Sequence, residues 1–339
     1  MTIRVPTRSA LADLYGIAPE PHSALSLYHA LSGGARPIVP ANSVNKWIFV
    51  TARFTKFLDN LRLTTDQHND GMTSQAGIRA CLNRYYWEAE SETANSGLIG
   101  SWGKGTRVRP PRDIDILFLL PSPVYHRFQE RSGNKQSQLL QEVRGVLEAR
   151  YPQTRMRGDG QVVCVPFNHI LIEVCPGFRC QDGSIIVCDT PNDGRYMTTT
   201  AEVEAAELEA SDRQWSGNTR ALVRMAKQWQ REHNVPLKSF LFERLAIEFL
   251  STWAYADRDV FWYDWMIRDF FAFLCQRTGG KIVMPLTGEV IPLGSDWLLK
   301  AQNAYQASQA ACHYEEVNSG WLAGTEWQKI FGYEIPDTV

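Results

Sequence analysis

The chain has 339 residues, of which 44% are apolar and 21% are charged, and its formal net charge is -2 at pH 7. This composition is typical of an ordinary globular protein, and the length allows one large domain or two lobes. No apolar run is long enough to span a membrane, and the first ten residues lack the apolar segment of a signal peptide. Constitutive binding of long nucleic acid usually requires a basic excess, so we expect neither a membrane nor a constitutive nucleic-acid partner.

The seven cysteines are odd in number and irregularly spaced, which is typical of a protein in a reducing cytoplasm. Four of them lie close together in the sequence, with His169 among them: Cys164, Cys175, Cys180 and Cys188. A zinc site is one interpretation, but no Cys-x-x-Cys pair is present. Because several of these cysteines sit in apolar strand patterns, we interpret them as small buried hydrophobic residues.

The N-terminal part of the chain is predicted to be helical. Residues 1–43, rich in Pro, Ser, Gly and Ala, are predicted to be an extension with one short helix over Ser23–Leu31. Apolar residues at helical spacing predict an amphipathic helix over Val44–Leu63. A polar turn is predicted over Thr64–Gly71, followed by a second long helix over Thr73–Glu92. The chain is thus predicted to enter its glycine-rich segment from a helix.

A glycine-rich loop and an apolar strand form the most informative stretch. The loop reads Gly-Ser-Trp-Gly-Lys-Gly-Thr over 100–106, and the strand is predicted over Asp113–Leu120. Asp113 and Asp115 are two residues apart, so on a strand they point to the same face. Two neighbouring carboxylates repel each other, and a divalent cation removes this repulsion. Carboxylate pairs suit Mg²⁺, which takes further ligands from a substrate phosphate.

The loop itself has the composition of a phosphate-binding segment. Its glycines allow the backbone to approach a charged group closely. Ser101 offers a hydroxyl and an N–H, and Lys104 offers a positive charge. An acidic strand end beside a surface turn would explain either feature alone. The loop and the Asp-x-Asp strand in this order are more specific, and they predict a site for a metal ion and a phosphate.

A third acid follows in a neighbouring predicted strand. A helix is predicted over Gln136–Tyr151, and two strands over Gln161–Phe167 and Ile170–Val174 are predicted to form a hairpin. Glu173 is the lone acid in the second strand. An exposed strand edge would explain it, but a third metal ligand beside the aspartate pair explains it better. Three other acids lie in predicted turns and are weaker candidates: Asp159, Asp182 and Asp189.

Residues Cys188–Tyr196 are predicted to be a polar turn, after which the chain becomes helical, with a capping box at Thr199–Glu202. Ser239 is predicted to be the N-cap of a helix over Phe240–Thr252. A helix N-terminus favours phosphate, and Lys227 on the preceding helix adds a point charge. The aromatic-rich remainder predicts a helical bundle, interrupted by a loop over Lys281–Leu293.

Several of these segments together resemble the signatures of one enzyme family. They are the glycine loop with its Asp-x-Asp strand, the segment Glu173–Phe178, and the segment Leu222–Glu243; the ending Trp327–Pro336 is also similar. The chain resembles the CD-NTases, bacterial cyclic-oligonucleotide synthases related to cyclic GMP-AMP synthase within the polymerase-β-like nucleotidyltransferases. Many members carry Asp where this chain has Glu173.

The resemblance implies an α+β fold. It consists of a polymerase-β-like nucleotidyltransferase palm, with a mixed sheet and flanking helices, and a C-terminal helical bundle, giving a bilobed chain. The implied domains are the extension over residues 1–43, the nucleotidyltransferase core over 44–198, and a helical domain over 199–339 that closes over the active site.

The resemblance also implies a reaction. Two Mg²⁺ ions, for which Mn²⁺ can substitute, would be held by the catalytic residues Asp113, Asp115 and Glu173. Ribonucleoside triphosphates (ATP, GTP or pyrimidine nucleotides) would be joined into a cyclic di- or trinucleotide with release of pyrophosphate. The implied nucleotide-binding residues are Gly100, Ser101, Lys104, Lys227, Ser239, Thr190 and Asn192. The implied setting is the bacterial cytoplasm, where a monomeric enzyme makes a second messenger of anti-phage signalling that a separate effector protein senses.

Two other functions remain open at this point. One is a template-independent linear nucleotidyltransferase acting on RNA or protein, either tRNA-modifying or similar to oligoadenylate synthases. Five arginines could form a basic patch for such a partner, or could instead balance triphosphate charge: Arg107, Arg109, Arg112, Arg155 and Arg157. The other is a nucleotide-binding scaffold without catalysis, which the complete set of acids and the glycine loop disfavour.

Overall fold

A computed structural model describes residues 46–339. The predicted extension over 1–43 and its helix Ser23–Leu31 lie outside these residues. The helices are α1 (Val50–Asn60), α2 (Thr65–Trp87), α3 (Gly100–Gly103), α4 (Ser122–Gln129), α5 (Lys135–Arg150), α6 (Ala201–Gln214), α7 (Asn218–Glu232), α8 (Ser239–Thr252), α9 (Tyr263–Arg277), α10 (Leu298–Glu316) and α11 (Gly320–Phe331). The strands are β1 (Ser96–Ile99), β2 (Asp113–Leu119), β3 (Arg157–Asp159), β4 (Val162–Pro166), β5 (Leu171–Arg179), β6 (Ile185–Asp189), β7 (Arg195–Thr198), β8 (Lys281–Val283) and β9 (Val290–Pro292).

The chain divides into two compact units. The sheet unit consists of Arg62–Ala210 together with Val283–Glu289. The helical unit consists of the described residues up to Leu61 together with Ser211–Ile282 and Val290–Val339. Within residues 46–339, no helix combines the length and the apolar character needed to cross a membrane.

The main sheet has seven strands and mixed direction. Its central order is β1-β2-β5-β4-β3, and β6 and β7 extend it from β5. Strand β2 runs parallel to β5, whereas β1 is antiparallel to β2 and β4 is antiparallel to β5. The long strand β5 pairs with β4 through its first half and with β6 through its second half. Strand β2 therefore lies between β1 and β5, and both neighbours can supply residues next to its side chains.

One face of this sheet carries the larger apolar core. Ile114 and Ile116 of β2 are fully buried there, as are Ile172 and Val174 of β5. Helices α2 and α5 cover this face with apolar residues at helical spacing, namely Ile78, Leu82, Leu139, Leu140, Val143 and Leu147. Because side chains alternate along a strand, the residues between these apolar positions point to the opposite face.

The predicted α+β class, with a mixed sheet flanked by helices, is confirmed. The helix predicted over Gln136–Tyr151 is present as α5. The predicted hairpin is present as β4 and β5, with Pro166 paired to Leu171. The turn between these two strands is closed by a hydrogen bond from Phe167 N–H to the Ile170 carbonyl, at 3.0 Å.

The predicted turn over Thr64–Gly71 is wrong, because helix α2 starts at Thr65. Thr64 Oγ1 accepts a hydrogen bond from the Gln67 N–H at 3.2 Å, and the Gln67 side chain accepts one from the Thr64 N–H at 3.1 Å. This reciprocal capping box satisfies backbone donors at the helix start. The polar residues of this segment therefore form the first turns of the helix and not a loop.

The prediction also extended α2 five residues too far, to Glu92. The helix ends at Trp87 because Glu88 takes the left-handed conformation, with φ of 50°. Buried Asn83 then donates hydrogen bonds to the carbonyls of Ser91 and Ala94, at 3.0 and 2.9 Å. These bonds fold the following segment back against the helix and lead it into β1.

The loop predicted over Lys281–Leu293 is a two-stranded hairpin of β8 and β9. Ile282 and Met284 are buried, and the Met284 N–H donates to the Glu289 carbonyl at 2.8 Å. The two prolines suggested a loop, but Pro292 lies at the end of β9, where proline costs little pairing.

Candidate active site

Strands β2 and β5 bring three carboxyl groups together on one face of the sheet. Asp113 and Asp115 alternate with the buried residues Ile114 and Ile116, so both aspartates point away from the larger core. In the parallel pairing of β2 with β5, Asp115 lies directly opposite Glu173. The structure therefore brings together the three acids that the sequence selects as catalytic residues and metal ligands.

The carboxyl groups perturb one another strongly. Burial raises the pKa of Asp115 to about 7, and the negative charges of Asp113 and Glu173 and a hydrogen bond with Glu173 add to this rise. The pKa of Glu173 is also raised, first by burial and then by the charges of Asp113 and Asp159. Acids this close cannot all ionise cheaply. Near neutral pH, Asp115 therefore holds a proton for part of the time.

This donor set fits a divalent cation. Hard oxygen ligands on neighbouring strands are what Mg²⁺ takes from a protein, and a cation would replace the proton between Asp115 and Glu173. These two residues lie directly opposite each other in the pairing of β2 with β5. Within residues 46–339, no group of three or more His, Cys, Asp or Glu side chains is arranged as a ready metal cage. The fit thus rests on the chemistry and strand register of the three acids.

The glycine loop lies directly against one of these acids. Ile99 at the end of β1 pairs with Asp115, and the chain then turns into the short helix α3. Gly100 has a positive φ of 56°, and a Cβ atom at this position would lie 1.8 Å from Asp115 Oδ2. Only glycine allows both this conformation and this approach. The Gly100 turn therefore lies close to the Asp115 carboxyl group, and its predicted contact with a phosphate stays a prediction.

Ser101, the other predicted phosphate contact in the loop, is half-buried. Its carbonyl accepts a hydrogen bond from the Thr106 N–H at 2.9 Å, which closes the loop before it runs into β2.

Trp102 anchors the loop, a role that the sequence pattern did not predict. Its side chain is buried and packs on Gly71 of α2, where a Cβ would lie 2.6 Å from the indole. The His68 ring stacks on Trp102 with a centroid distance of 5.8 Å, and the Arg107 guanidinium lies 4.9 Å from the indole centroid. A large apolar residue inside a glycine loop was the available signal for such an anchor.

Lys104, which the sequence offers as a positive charge for a phosphate, is buried against an acid of the same unit. It is only 5% exposed, and its Nζ donates to Oε2 of Glu204 at 2.6 Å. Its positive charge also acts to lower the pKa of Asp115, against the larger effect of burial. The partner Glu204 lies 100 residues further along the chain, so sequence spacing gave no signal for this ion pair.

Cys164 lies on the other side of Glu173, on β4. The two residues are directly paired, and Cys164 Sγ lies 4.0 Å from Glu173 Oε1. Burial, followed by the charge of Glu173, raises the pKa of this thiol. Cys164, Cys175 and Cys188 are all buried, which agrees with their interpretation as small core residues.

Thr190 and Asn192 lie in the turn between β6 and β7. Thr190 is half-buried, and its carbonyl accepts a hydrogen bond from Asn134 Nδ2 at 2.8 Å. Asn134 also caps α5 by accepting from the Ser137 N–H at 2.8 Å, so the turn is tied to a helix start. Asn192 is exposed and left-handed, with φ of 52°. Both residues belong to the sheet unit.

Lys227 and Ser239 belong to the helical unit. Lys227 is buried in α7, and its Nζ donates to Oε1 of Glu243 at 3.0 Å. Ser239 is the first residue of α8, and Lys238 is the N-cap, without a side-chain capping bond. The prediction of Ser239 as the N-cap is therefore wrong by one residue, because Lys238 already has the extended backbone of that position.

The family model of the Second Messenger Oligonucleotide or Dinucleotide Synthetase domain matches residues 49–211. This range includes the glycine loop and all three acids. No curated protein sequence matches the chain.

Solved structures are similar over most of the chain. DncV, the di-nucleotide cyclase of Vibrio cholerae, in complex with ATP, GTP and 5MTHFGLU2, is 13% identical with a TM-score of 0.65, covering 85% of this chain and 97% of that one. CdnC of E. coli MS115-1, in complex with HORMA-deltaN, is 18% identical with a TM-score of 0.58, covering 84% and 97%. The CD-NTase CdnG of Bradyrhizobium diazoefficiens, with GTP, is 12% identical with a TM-score of 0.58, covering 84% and 96%. At sequence identities this low, the similarity shows a shared fold alone. Residues 49–211 thus match the second messenger oligonucleotide or dinucleotide synthetase domain, and the chain has the fold of the CD-NTase structures.

Proposed function

We propose that this protein joins ribonucleoside triphosphates into a cyclic di- or trinucleotide second messenger, releasing one pyrophosphate for each bond formed. The observation that carries the proposal is the cluster of three carboxyl groups on β2 and β5, which lies against the Gly100 turn. The cluster falls within the residues matched by the synthetase domain. A scaffold without catalysis gains nothing from holding three mutually repelling acids together.

The metal ligands in this proposal are Asp113, Asp115 and Glu173. Two Mg²⁺ ions, or Mn²⁺ in their place, would supply Lewis-acid stabilisation of the entering ribose oxygen and the departing pyrophosphate. The chain's own contribution is to hold its carboxyl groups in place and to position the reacting groups. The fixed register between β2 and β5 serves this purpose, because it sets Asp115 opposite Glu173.

The substrate in this proposal is a nucleoside triphosphate such as ATP or GTP. The DncV structure contains both nucleotides, and the CdnG structure contains GTP. Gly100 and Ser101 would contact the phosphates of the donor nucleotide, and Lys227 and Ser239 would hold its triphosphate tail. Ser239 is suited to this role because helix starts attract anions.

Base recognition is assigned to the turn that contains Thr190 and Asn192. The turn is polar and partly exposed, and Asn134 ties its backbone to α5. We further propose that the enzyme acts in the bacterial cytoplasm as a monomer. A separate effector protein would sense its product during anti-phage signalling.

The proposal is tested by incubating the purified full chain with Mg²⁺ and all four ribonucleoside triphosphates, without added nucleic acid. After phosphatase treatment, mass spectrometry should find a resistant product whose mass equals that of two or three nucleoside monophosphates less one water per bond. This mass also identifies the bases. A product that phosphatase trims at its end would be linear, and it would favour a linear nucleotidyltransferase acting on RNA or protein instead.

A further inference from the structure

The glycine loop is fixed by a buried ion pair that sequence analysis did not anticipate. Lys104 at the end of the loop and Glu204 in α6 approach to 2.6 Å, with side chains only 6% and 15% exposed. Both residues belong to the sheet unit. A buried ion pair contributes little net stability compared with apolar residues, but removing one partner leaves an uncompensated buried charge. The pair is therefore better suited to fixing a geometry than to stabilising the fold.

Glu204 is itself held rigidly. Its N–H donates to the Thr200 carbonyl at 2.9 Å, in the first turn of α6. Its Oε1 accepts a hydrogen bond from Thr200 Oγ1, while Oε2 accepts from Lys104. Each carboxylate oxygen thus has its own donor, and the side chain has little freedom to turn.

Lys104 connects Glu204 to Gly100, the residue that lies against Asp115. Its backbone N–H donates to the Gly100 carbonyl at 3.0 Å, which closes the turn of α3. A Cβ on Gly100 would lie 1.8 Å from Asp115 Oδ2, so the turn has little room to shift relative to the carboxyl group. The chain of contacts therefore runs from Glu204 through Lys104 and Gly100 to Asp115.

We infer that Glu204 is a positioning residue, which acts through Lys104 to hold the glycine loop in place over Asp115. In this role Lys104 fixes the position of the loop, and its ammonium group binds Glu204. This inference rests on the proposed function in one respect: the geometry it protects is that of the metal and nucleotide site.

The matched control lies two residues away on the same helix. Glu202 forms an ion pair with Arg179 at 3.2 Å, but this pair is exposed, with side chains 60% and 48% accessible. Exposed pairs contribute little. Glu202→Gln therefore removes the same charge from the same helical turn without disturbing the loop.

The test compares Glu204→Gln, Lys104→Met and Glu202→Gln in the full chain. Mn²⁺ binding is measured by electron paramagnetic resonance, and kcat and KM are measured for nucleoside triphosphates. We expect Glu204→Gln and Lys104→Met each to weaken Mn²⁺ binding and lower kcat/KM by about 10- to 100-fold, the range for residues that orient the groups of a metal site. The double variant should lose no more than either single variant, because both remove one interaction. Glu202→Gln should match the wild type within about twofold.

Folding defects are separated by thermal unfolding and by a milder variant. Lys104→Arg keeps the charge, and it should retain more Mn²⁺ binding than Lys104→Met. Wild-type Mn²⁺ binding and kinetics in folded Glu204→Gln would overturn the inference and leave the proposed function intact. If the wild type itself makes no product, the proposed function fails, and the Mn²⁺ comparison still decides whether Glu204 positions the site.

Discussion

At the scale of single residues, the site depends on two features of β2 and its neighbours. The first is strict alternation, which turns Asp113 and Asp115 to one face while Ile114 and Ile116 enter the core. The second is the parallel register that sets Glu173 opposite Asp115. Together they concentrate three acids where burial already disfavours charge.

Glu173 can be tested separately from the aspartates. Because it is directly opposite Asp115, Glu173→Gln should lower the rate of nucleotide joining by about 100-fold, the upper range for weakened metal sites. The control is Asp182→Asn, an exposed acid whose Oδ1 accepts from the Ser184 N–H at 2.9 Å and from Ser184 Oγ at 2.7 Å. Steady-state rates at saturating Mg²⁺ make the comparison. Equal rates for both variants would remove Glu173 from the set of ligands.

Gly100 tests the approach of the loop to Asp115. Gly100→Ala introduces a Cβ 1.8 Å from Asp115 Oδ2 at a positive φ, so it should cost about 1–3 kcal/mol of unfolding free energy and most of the activity. Gly97→Ala is the control, since nothing lies within 4 Å of a Cβ there. Denaturant unfolding of both variants measures the difference. A Gly100→Ala protein as stable and active as Gly97→Ala would contradict the close contact described here.

Asp113, Asp115 and Glu173 could be selected from the sequence because each interrupts an apolar strand. A charged side chain in such a strand is unfavourable unless it has a partner or a function. The surroundings of Lys104 could not be found in the same way. Its sequence context, between two glycines, indicated a positive charge for a phosphate and gave no sign of the partner Glu204, 100 positions away. The local sequence pattern indicates the chemistry of a side chain, but the tertiary structure determines which partner the side chain contacts.

At the scale of elements, long periodic segments were predictable and short ones were not. Helix α5 and the hairpin of β4 and β5 follow from periodicity. The three-residue strands β3, β8 and β9 are too short to show any pattern, and they form because partner strands pair with them. The start of α2 was missed for another reason, since the Thr64 capping box lies in a segment so polar that it suggested a turn.

The capping box supports the site through α2. Thr64→Ala should lower the unfolding free energy by about 1 kcal/mol, because it removes the side-chain acceptor for the Gln67 N–H. Thr65→Ala, at an exposed neighbouring position, should change it by less than about 0.5 kcal/mol. Chemical denaturation of the two variants tests this. Equal stabilities would mean that the cap does not hold the helix start that precedes Gly71 and its contact with Trp102.

At the scale of the whole molecule, the carboxyl cluster makes the stability of the fold depend on pH. Asp115 has a folded-state pKa of about 7 against an ordinary value of 3.8. Between these values the folded protein binds more protons than the unfolded chain. The contribution of this group to stability therefore falls as pH rises through the window, and the loss is complete above about pH 7. Glu173 acts in the same direction.

Magnesium should offset this loss. Mg²⁺ binds the deprotonated carboxylates, so it should raise the unfolding temperature more at pH 8 than at pH 5.5. At a Mg²⁺ concentration of 100 times its Kd, the stabilisation at pH 8 should be about 2.7 kcal/mol. Differential scanning fluorimetry with Mg²⁺ or with EDTA measures both shifts. Asp115→Asn should abolish most of the pH dependence. Identical shifts at the two pH values would argue against metal binding at the cluster.

The division into a sheet unit and a helical unit is a property of the whole chain that local patterns report poorly. Helix α1 lies early in the sequence, yet it groups with the C-terminal helices. Fully buried Arg53 of α1 explains this, because it pairs with Glu315 at 2.8 Å and donates to the carbonyl of Gly320 at 2.6 Å. Contacts between residues more than 260 positions apart cannot be derived from periodicity.

The most direct test of the account measures pyrophosphate release by the wild type and by the double variant Asp113→Ala, Asp115→Ala, with Mg²⁺ and ribonucleoside triphosphates as the only substrates. We expect release by the wild type, and a loss of about 1,000-fold or more in the variant, since electrostatic stabilisation supplies the largest part of such catalysis. Thermal unfolding should show that the variant remains folded. Pyrophosphate release at the wild-type rate by the folded double variant would contradict the account.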